Sequence, residues 1–199
     1  MGGAIMTTTI DGSASADFAT PLPISEGGTG ASTAAAAAAA VAPIQMGTAQ
    51  ATTSGTVIDF SSIPAGVKRV TVNFSGVSTN GTNNVLLQLG DSGGIETSGY
   101  LGSAWSLSAA LGVTDTTSFP VTASVAAGTI MHGTVIISLL DATSNTWSSF
   151  GNIAFSNSAS AQVSGGSKSL SSTLDRVRIT TSGGVNTFDA GVANIMWEF

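Results

Sequence analysis

From Ala51 onward the chain alternates apolar and polar residues with a period of two. Val70, Val72 and Phe74 alternate with Arg69, Thr71 and Asn73. Val85, Leu87 and Leu89 share one face, and so do Met131, Val135, Ile137 and Leu139, with Gly133 among them. Ile153 with Phe155, and Val177 with Ile179, repeat the pattern. The last run places Ala193, Ile195, Trp197 and Phe199 on one side and Val192, Asn194, Met196 and Glu198 on the other. Successive strand side chains point to opposite faces, so this alternation predicts half-buried β-strands. Turn signals punctuate the runs: Ile63-Pro64-Ala65-Gly66, Asn80-Gly81, Gly93-Gly94, Gly165-Gly166 and Gly183-Gly184. Their spacing predicts about eight to ten strands and an all-β fold, an antiparallel β-sandwich of jelly-roll-like type.

The first fifty residues read differently. Residues 1–20 are mostly Gly, Thr, Ser and Ala and predict an extended arm. Residues 21–50 predict a linker. Pro21 and Pro23 favour extended backbone, and Gly27, Gly28 and Gly30 allow tight turns. Ala34 to Ala40 follows Ser32 and Thr33, either of which suits a helix N-cap, and Pro43 stops the helix. About three helical turns are expected. Such a helix has no amphipathic stripe and is marginal alone in water. Residues 51–199 are then the sandwich.

Composition narrows the function. Only 8% of the 199 residues are charged, against about 25% in an average soluble protein. The mean hydropathy is nonetheless +0.37, because Lys and Glu are scarce while Ala, Val and Ile are abundant. That combination opposes intrinsic disorder, which needs low hydropathy and high net charge. The net charge is −6, and Lys68, Arg69, Lys168, Arg176 and Arg178 are the only cations. Nucleic-acid binding needs several cations on one face, so it is not expected. No Cys is present, which excludes disulfides and thiolate metal sites. The longest small apolar run, Ala34 to Ala42, is far short of the ~20 residues of a membrane helix, so no membrane insertion is expected. Met1 to Ile10 lacks a cationic stretch before an apolar core, so no secretory signal is expected there.

The segment Pro21-Leu-Pro-Ile-Ser-Glu-Gly-Gly-Thr-Gly-Ala-Ser-Thr-Ala-Ala resembles a motif of tail-fibre proteins from tailed bacteriophages. In those, Leu-Pro-Val/Ile precedes Gly-Gly-Thr-Gly-Ala-Thr/Ser and an alanine-rich helical turn. The resemblance covers residues 21–42. It departs at Val41-Ala-Pro-Ile, where the family has a mixed segment ending in Leu-Gly. The C-terminal Thr187-Phe-Asp-Ala-Gly-Val-Ala-Asn-Ile-Met-Trp-Glu-Phe is similar, more weakly, to the closing strand of fibre tip domains. The resemblance implies a homotrimer, attachment to other virion proteins through the N-terminal arm, an outward C-terminal domain and receptor recognition, for which a host-surface glycan is the candidate partner.

The side chains offer few catalytic constellations. His132 is the single His, and its alternation partners Thr134 and Ser138 give it no carboxylate to orient it as in a Ser-His-Asp triad. It reads as a partly buried or interfacial His, with a three-His metal site on a trimer axis as the alternative. Glycoside hydrolysis needs two carboxyls about 5–9.5 Å apart. Asp91 with Glu96 across a glycine-rich loop, and Asp189 with Glu198 through tertiary folding, are the pairs to test. Asp59, Asp91 and Asp141 lie near loops but form no Asp-x-Asp-x-Asp calcium run. No cofactor is expected. Aromatic residues are the better candidates for contact with a sugar: Tyr100, Trp105 and Trp147, with Asn80, Asn83 and Asn84 as a polar loop beside them. Trp197 alternates with Ile195 and belongs to the core.

Four readings follow: a trimeric tail-fibre or receptor-binding protein, a purely structural capsid decoration or head-fibre protein, a secreted adhesin or carbohydrate-binding module, and an enzyme. The missing signal and the fibre motif oppose the third. The scattered carboxylates oppose the fourth.

Overall fold

The computed structural model describes Gly28, Ala31 and residues 33–199. The expected arm and most of the Gly-Gly-Thr-Gly-Ala segment lie outside the described residues. The chain divides into two compact units, at Pro43 and Ile44.

In the first unit, α1 (Ala34–Val41) starts at Thr33, whose Oγ1 accepts from the Ala36 N–H at 3.1 Å. That bond satisfies one of the amide donors left free by the first helical turn. Eight residues make a little over two turns, shorter than the three expected from the alanine run. Ala42 turns extended (φ −62°, ψ 128°) because the ring of Pro43 disfavours helical backbone in the residue before it.

The second unit is all-β. Its strands are β1 (Ile44–Met46), β2 (Gln50–Ala51), β3 (Val57–Phe60), β4 (Arg69–Thr79), β5 (Val85–Asp91), β6 (Gly94–Ile95), β7 (Tyr100–Ser106), β8 (Leu111–Asp115), β9 (Phe119–Pro120), β10 (Met131–Asp141), β11 (Thr146–Phe155), β12 (Ser160–Ser169), β13 (Arg176–Thr181) and β14 (Phe188–Glu198). Among the described residues, ten of these fourteen strands are four residues or longer. The larger sheet runs β1-β14-β4-β10-β11-β12-β7-β8, with β2 also on β14. The smaller runs β3-β13-β5-β6, with β9 on β5. All pairings are antiparallel. The unit begins at Ile44, ahead of the change of pattern at Ala51, because β1 pairs Ile44 with Glu198 and Met46 with Met196.

The two sheets pack through their inner faces. Val70, Val72 and Phe74 from β4, Met131, Val135 and Ile137 from β10, and Ile195 from β14 meet Leu87, Leu89, Val177 and Ile179 of the smaller sheet. These are the residues the alternation assigned to the core. Removing their apolar surface from water is the main stabilising term.

One turn signal falls elsewhere. Gly165-Gly166 is not a turn but the middle of β12. The turn after β11 is Ser156–Ala159. The glycines serve close approach instead. A Cβ at Gly166 would lie 2.5 Å from the Leu101 carbonyl and 2.9 Å from Gly102 Cα, and one at Gly102 would lie 2.7 Å from Pro120. Bare backbone here lets β9 press onto the inner face, where Phe119 packs edge-on to Tyr100 (5.0 Å, 85°).

Candidate functional site

The outer face of the larger sheet collects the exposed apolar side chains. Register carries one row across eight strands: Met46, Met196, Thr71, Ile136, Phe150, Gly165, Ser103 and Thr114. The next row contains Asn152, Val163, Trp105 and Gly112. Trp105 is 48% exposed and Phe150 60%. Charge is nearly absent from these rows. The smaller sheet contrasts, since its β3 and β13 pair Asp59 with Arg178 in two hydrogen bonds of 2.7 and 2.8 Å.

Trp105 and Phe150 wall a shallow cleft of about 560 Å³. Its other lining residues include Ser103, Val113, Thr114, Val163 and Gly165, and none is charged. Two glycines shape it. Gly112 lies beneath the indole: a Cβ there would sit 2.3 Å from Trp105 Cε3. The ring therefore rests on bare backbone of the edge strand β8. Gly165 occupies the position between Phe150 and Ser103 and leaves the floor open.

Of the three aromatic candidates, Trp105 alone presents its ring to solvent. Tyr100 is fully buried and Trp147 is 2% exposed. Both face inward from the same register position as Lys168. The Tyr100 hydroxyl accepts from the Leu89 N–H at 2.7 Å and donates toward the Glu96 carbonyl at 3.0 Å. Burial pushes its phenol well above the usual tyrosine range. Trp147 is a core residue whose Nε1 finds no hydrogen-bond partner. Both are withdrawn from the contact set for the same reason, their inward strand parity.

The three asparagines form a separate cluster that staples loops. Asn80 Oδ1 accepts from the Thr187 N–H (3.0 Å), the Asn83 side chain donates to the Ser182 carbonyl, and Asn84 Oδ1 accepts from Thr122 Oγ1 (3.3 Å). Their hydrogen bonds run to the 122 and 182–187 segments, not to the strand carrying Trp105.

The carboxylates are similarly occupied. Asp91 and Glu96 do converge, on Ser171: Asp91 accepts from Ser171 Oγ (2.6 Å) and Glu96 from the Ser171 N–H (2.7 Å). The Ser171 hydroxyl and the Gly93 amide hold Asp91 below the usual carboxylate range. Burial works to raise Glu96, but the hydrogen bonds from Lys168 and Ser171 outweigh it and lower it. Two ionised, fully engaged carboxylates supply no general acid for glycoside hydrolysis. Asp189 and Glu198 sit nine residues apart on β14, roughly 30 Å along one strand, which separates them as a pair. Glu198 instead takes Arg69 in a forked ion pair. Asp141 closes its own turn, accepting from Thr143 N–H and Ser144 Oγ. Among the described residues no group of three His, Asp or Glu is placed to hold a metal ion.

His132 has a structural part. Its Nδ1 accepts from the Gly76 N–H at 3.2 Å, where β4 and β10 shift register between Met131 and His132.

The sequence pattern singles out neither Phe150 nor Gly112, and it marks Gly165 only as part of a turn. Their signal was strand parity: Phe150 is offset by an odd number of residues from the buried Trp147, Ile153 and Phe155. No family model, curated protein or solved structure matches the chain.

Proposed function

We propose that this chain is a non-enzymatic structural protein of a tailed-phage particle, a trimeric tail fibre or receptor-binding protein whose C-terminal sandwich recognises the host surface. The observation that carries this reading is the uncharged, aromatic-walled cleft on the outer face of the larger sheet. A globular protein rarely leaves a rigid indole half exposed beside a second exposed aromatic unless the surface has a partner. The Gly-Gly-Thr-Gly-Ala segment supports the fibre assignment. The engaged state of Asp91 and Glu96 supports a role without catalysis. Attachment to other virion proteins is assigned to the N-terminal arm, and the particle is the location.

Solution mass tests the assembly. The full chain should elute as three times 19.5 kDa in light scattering after size exclusion. A monomer would overturn the trimeric fibre. Host-cell binding by the full chain should be lost on Trp105→Ala, and unchanged binding would overturn the assignment of the cleft.

A second reading, a capsid decoration or head-fibre protein with a purely structural role, is favoured by one observation. Exposed apolar side chains also stand at the opposite end of the same sheet, Ile44, Met46 and Val192, where a neighbouring virion protein would fit. Antibody labelling of particles separates the two: tail label supports the fibre, head label the decoration protein.

A further inference from the structure

We infer that the Trp105–Phe150 cleft is a saccharide subsite selective for uncharged sugar rings, and that it discriminates against acidic glycans. This inference rests on the recognition role proposed above and specifies its ligand.

The lining settles the charge of the ligand. No cation faces the cleft. Of the five cations, Arg69 is paired with Glu198, Arg178 with Asp59, Arg176 with Asp175 and Lys168 with Glu96, and Lys68 is not among the residues lining the cleft. Placing a carboxylate or sulfate in the cleft would strip its water with no ion partner in return, which is costly. The net charge of −6 adds long-range repulsion. A neutral ligand meets neither penalty.

The shape and the polar groups settle the class. The indole is propped on Gly112 and cannot fold into the sheet, so one face stays available as a flat apolar platform. The C–H face of a pyranose ring is a flat apolar surface edged with hydroxyls. Ser103 and Thr114 supply hydroxyls that both donate and accept, which matches sugar hydroxyls and not a purely apolar guest. Asn152 stands next to Val163 in the Trp105 row and extends the polar rim. A volume of about 560 Å³ holds one to two rings, within the usual range of small-ligand sites. The Gly165 floor is what keeps that volume empty.

The test uses the full chain. Tryptophan emission and calorimetry are followed during titration with glucose, galactose, N-acetylglucosamine and their β-linked dimers, and in parallel with glucuronate and sialyllactose. At least one neutral sugar should bind saturably and shift the emission, with no response to the acidic pair. Affinity should fall about tenfold or more in Trp105→Ala and in Gly165→Val, which fills the floor. Arg178→Ala, on the other sheet, should bind as the parent does. Melting curves establish that each variant is folded.

Binding of the acidic sugars alone, or equal affinity in Trp105→Ala, would overturn the inference. So would acrylamide quenching of the free parent no greater than that of Trp105→Ala, since a second copy would then cover the cleft; the buried Trp147 contributes equally to both. The fibre reading fails separately: a trimer that binds no neutral sugar sinks the subsite and leaves the fibre, whereas a sugar-binding monomer does the reverse.

Discussion

Single residues hold this fold at points where backbone strands crowd each other. Gly191 has φ +94°, and a Cβ there would sit 2.3 Å from the Gly76 carbonyl carbon. Gly191→Ala combines left-handed strain with a clash against backbone that has nowhere to move. It should cost about 2–4 kcal/mol in urea denaturation. Gly184 has a similar φ of +63° but nothing within contact of a Cβ, so Gly184→Ala should lose only the strain, roughly 1 kcal/mol. Equal losses would mean that the close approach of β4 and β14 is unimportant. Tyr100→Phe removes the partner of the buried Leu89 N–H and should cost about 1–3 kcal/mol with the core otherwise intact.

Glu96 is one of the carboxylates through which pH acts, with Asp91 beside it. Its carboxyl is held below its ordinary value of 4.5. A carboxylate lowered by folding stabilises the native state fully above its unfolded value. That contribution is lost as pH falls through the lower folded value. Stability should therefore fall as pH drops below about 4.5. Glu96→Gln should lose about 1.5–3 kcal/mol at pH 7, because it leaves the buried Lys168 without its counter-charge. As pH falls through the lower folded value of Glu96, the variant and the parent should converge in thermal melts. A constant gap between them would show that Glu96 does not titrate between the two states.

At the scale of elements, the short strands at the start of the body are more than a tether. β1 and β2 cover the outer side of β14 and close the edge of the larger sheet. The Gln50 side chain donates to the Asp59 carbonyl at 2.7 Å and links that edge to β3 of the smaller sheet. A chain beginning at Ile44 should melt cooperatively and close to the full-length protein. A chain beginning at Thr52 exposes the β14 edge and should melt lower and aggregate more readily, since an unpaired strand invites pairing with another chain. Equal melting of the two would show that the sheet ends at β14. The closing strand's alternation from Ala193 to Trp197 placed Ile195 inside correctly, because parity is a local property of a strand. Its neighbours β1 and β4 could not be read, because pairing depends on residues more than a hundred positions away.

Within the β unit the two outer faces differ: the larger sheet carries most of the exposed apolar side chains beside the Arg69–Glu198 pair, and the smaller carries Asp59 paired with Arg178. The exposed apolar residues Ile44, Met46 and Val192 and the Trp105 cleft lie at different ends of the larger sheet, β1 and β14 at one end, β7 and β8 at the other. The sequence by itself determined the all-β class, the strand parity and the part of the core carried by the clearly alternating strands, since these follow from the order of apolar and polar residues along one strand. It also contained the means to choose between Tyr100 and Trp105, which lie five residues apart on one strand and so must face opposite ways. Which of the two faced the core was decided by the partner sheet, through Phe119 and the amide of Leu89. Only the tertiary structure made a site. Trp105, Phe150, Gly112 and Gly165 come from four strands, and each pair's spacing is set by sheet order and register. Gly165-Gly166 looked like a turn because chain chemistry alone cannot tell a glycine needed for bending from one needed for close approach. That distinction belongs to the neighbour pressing against it.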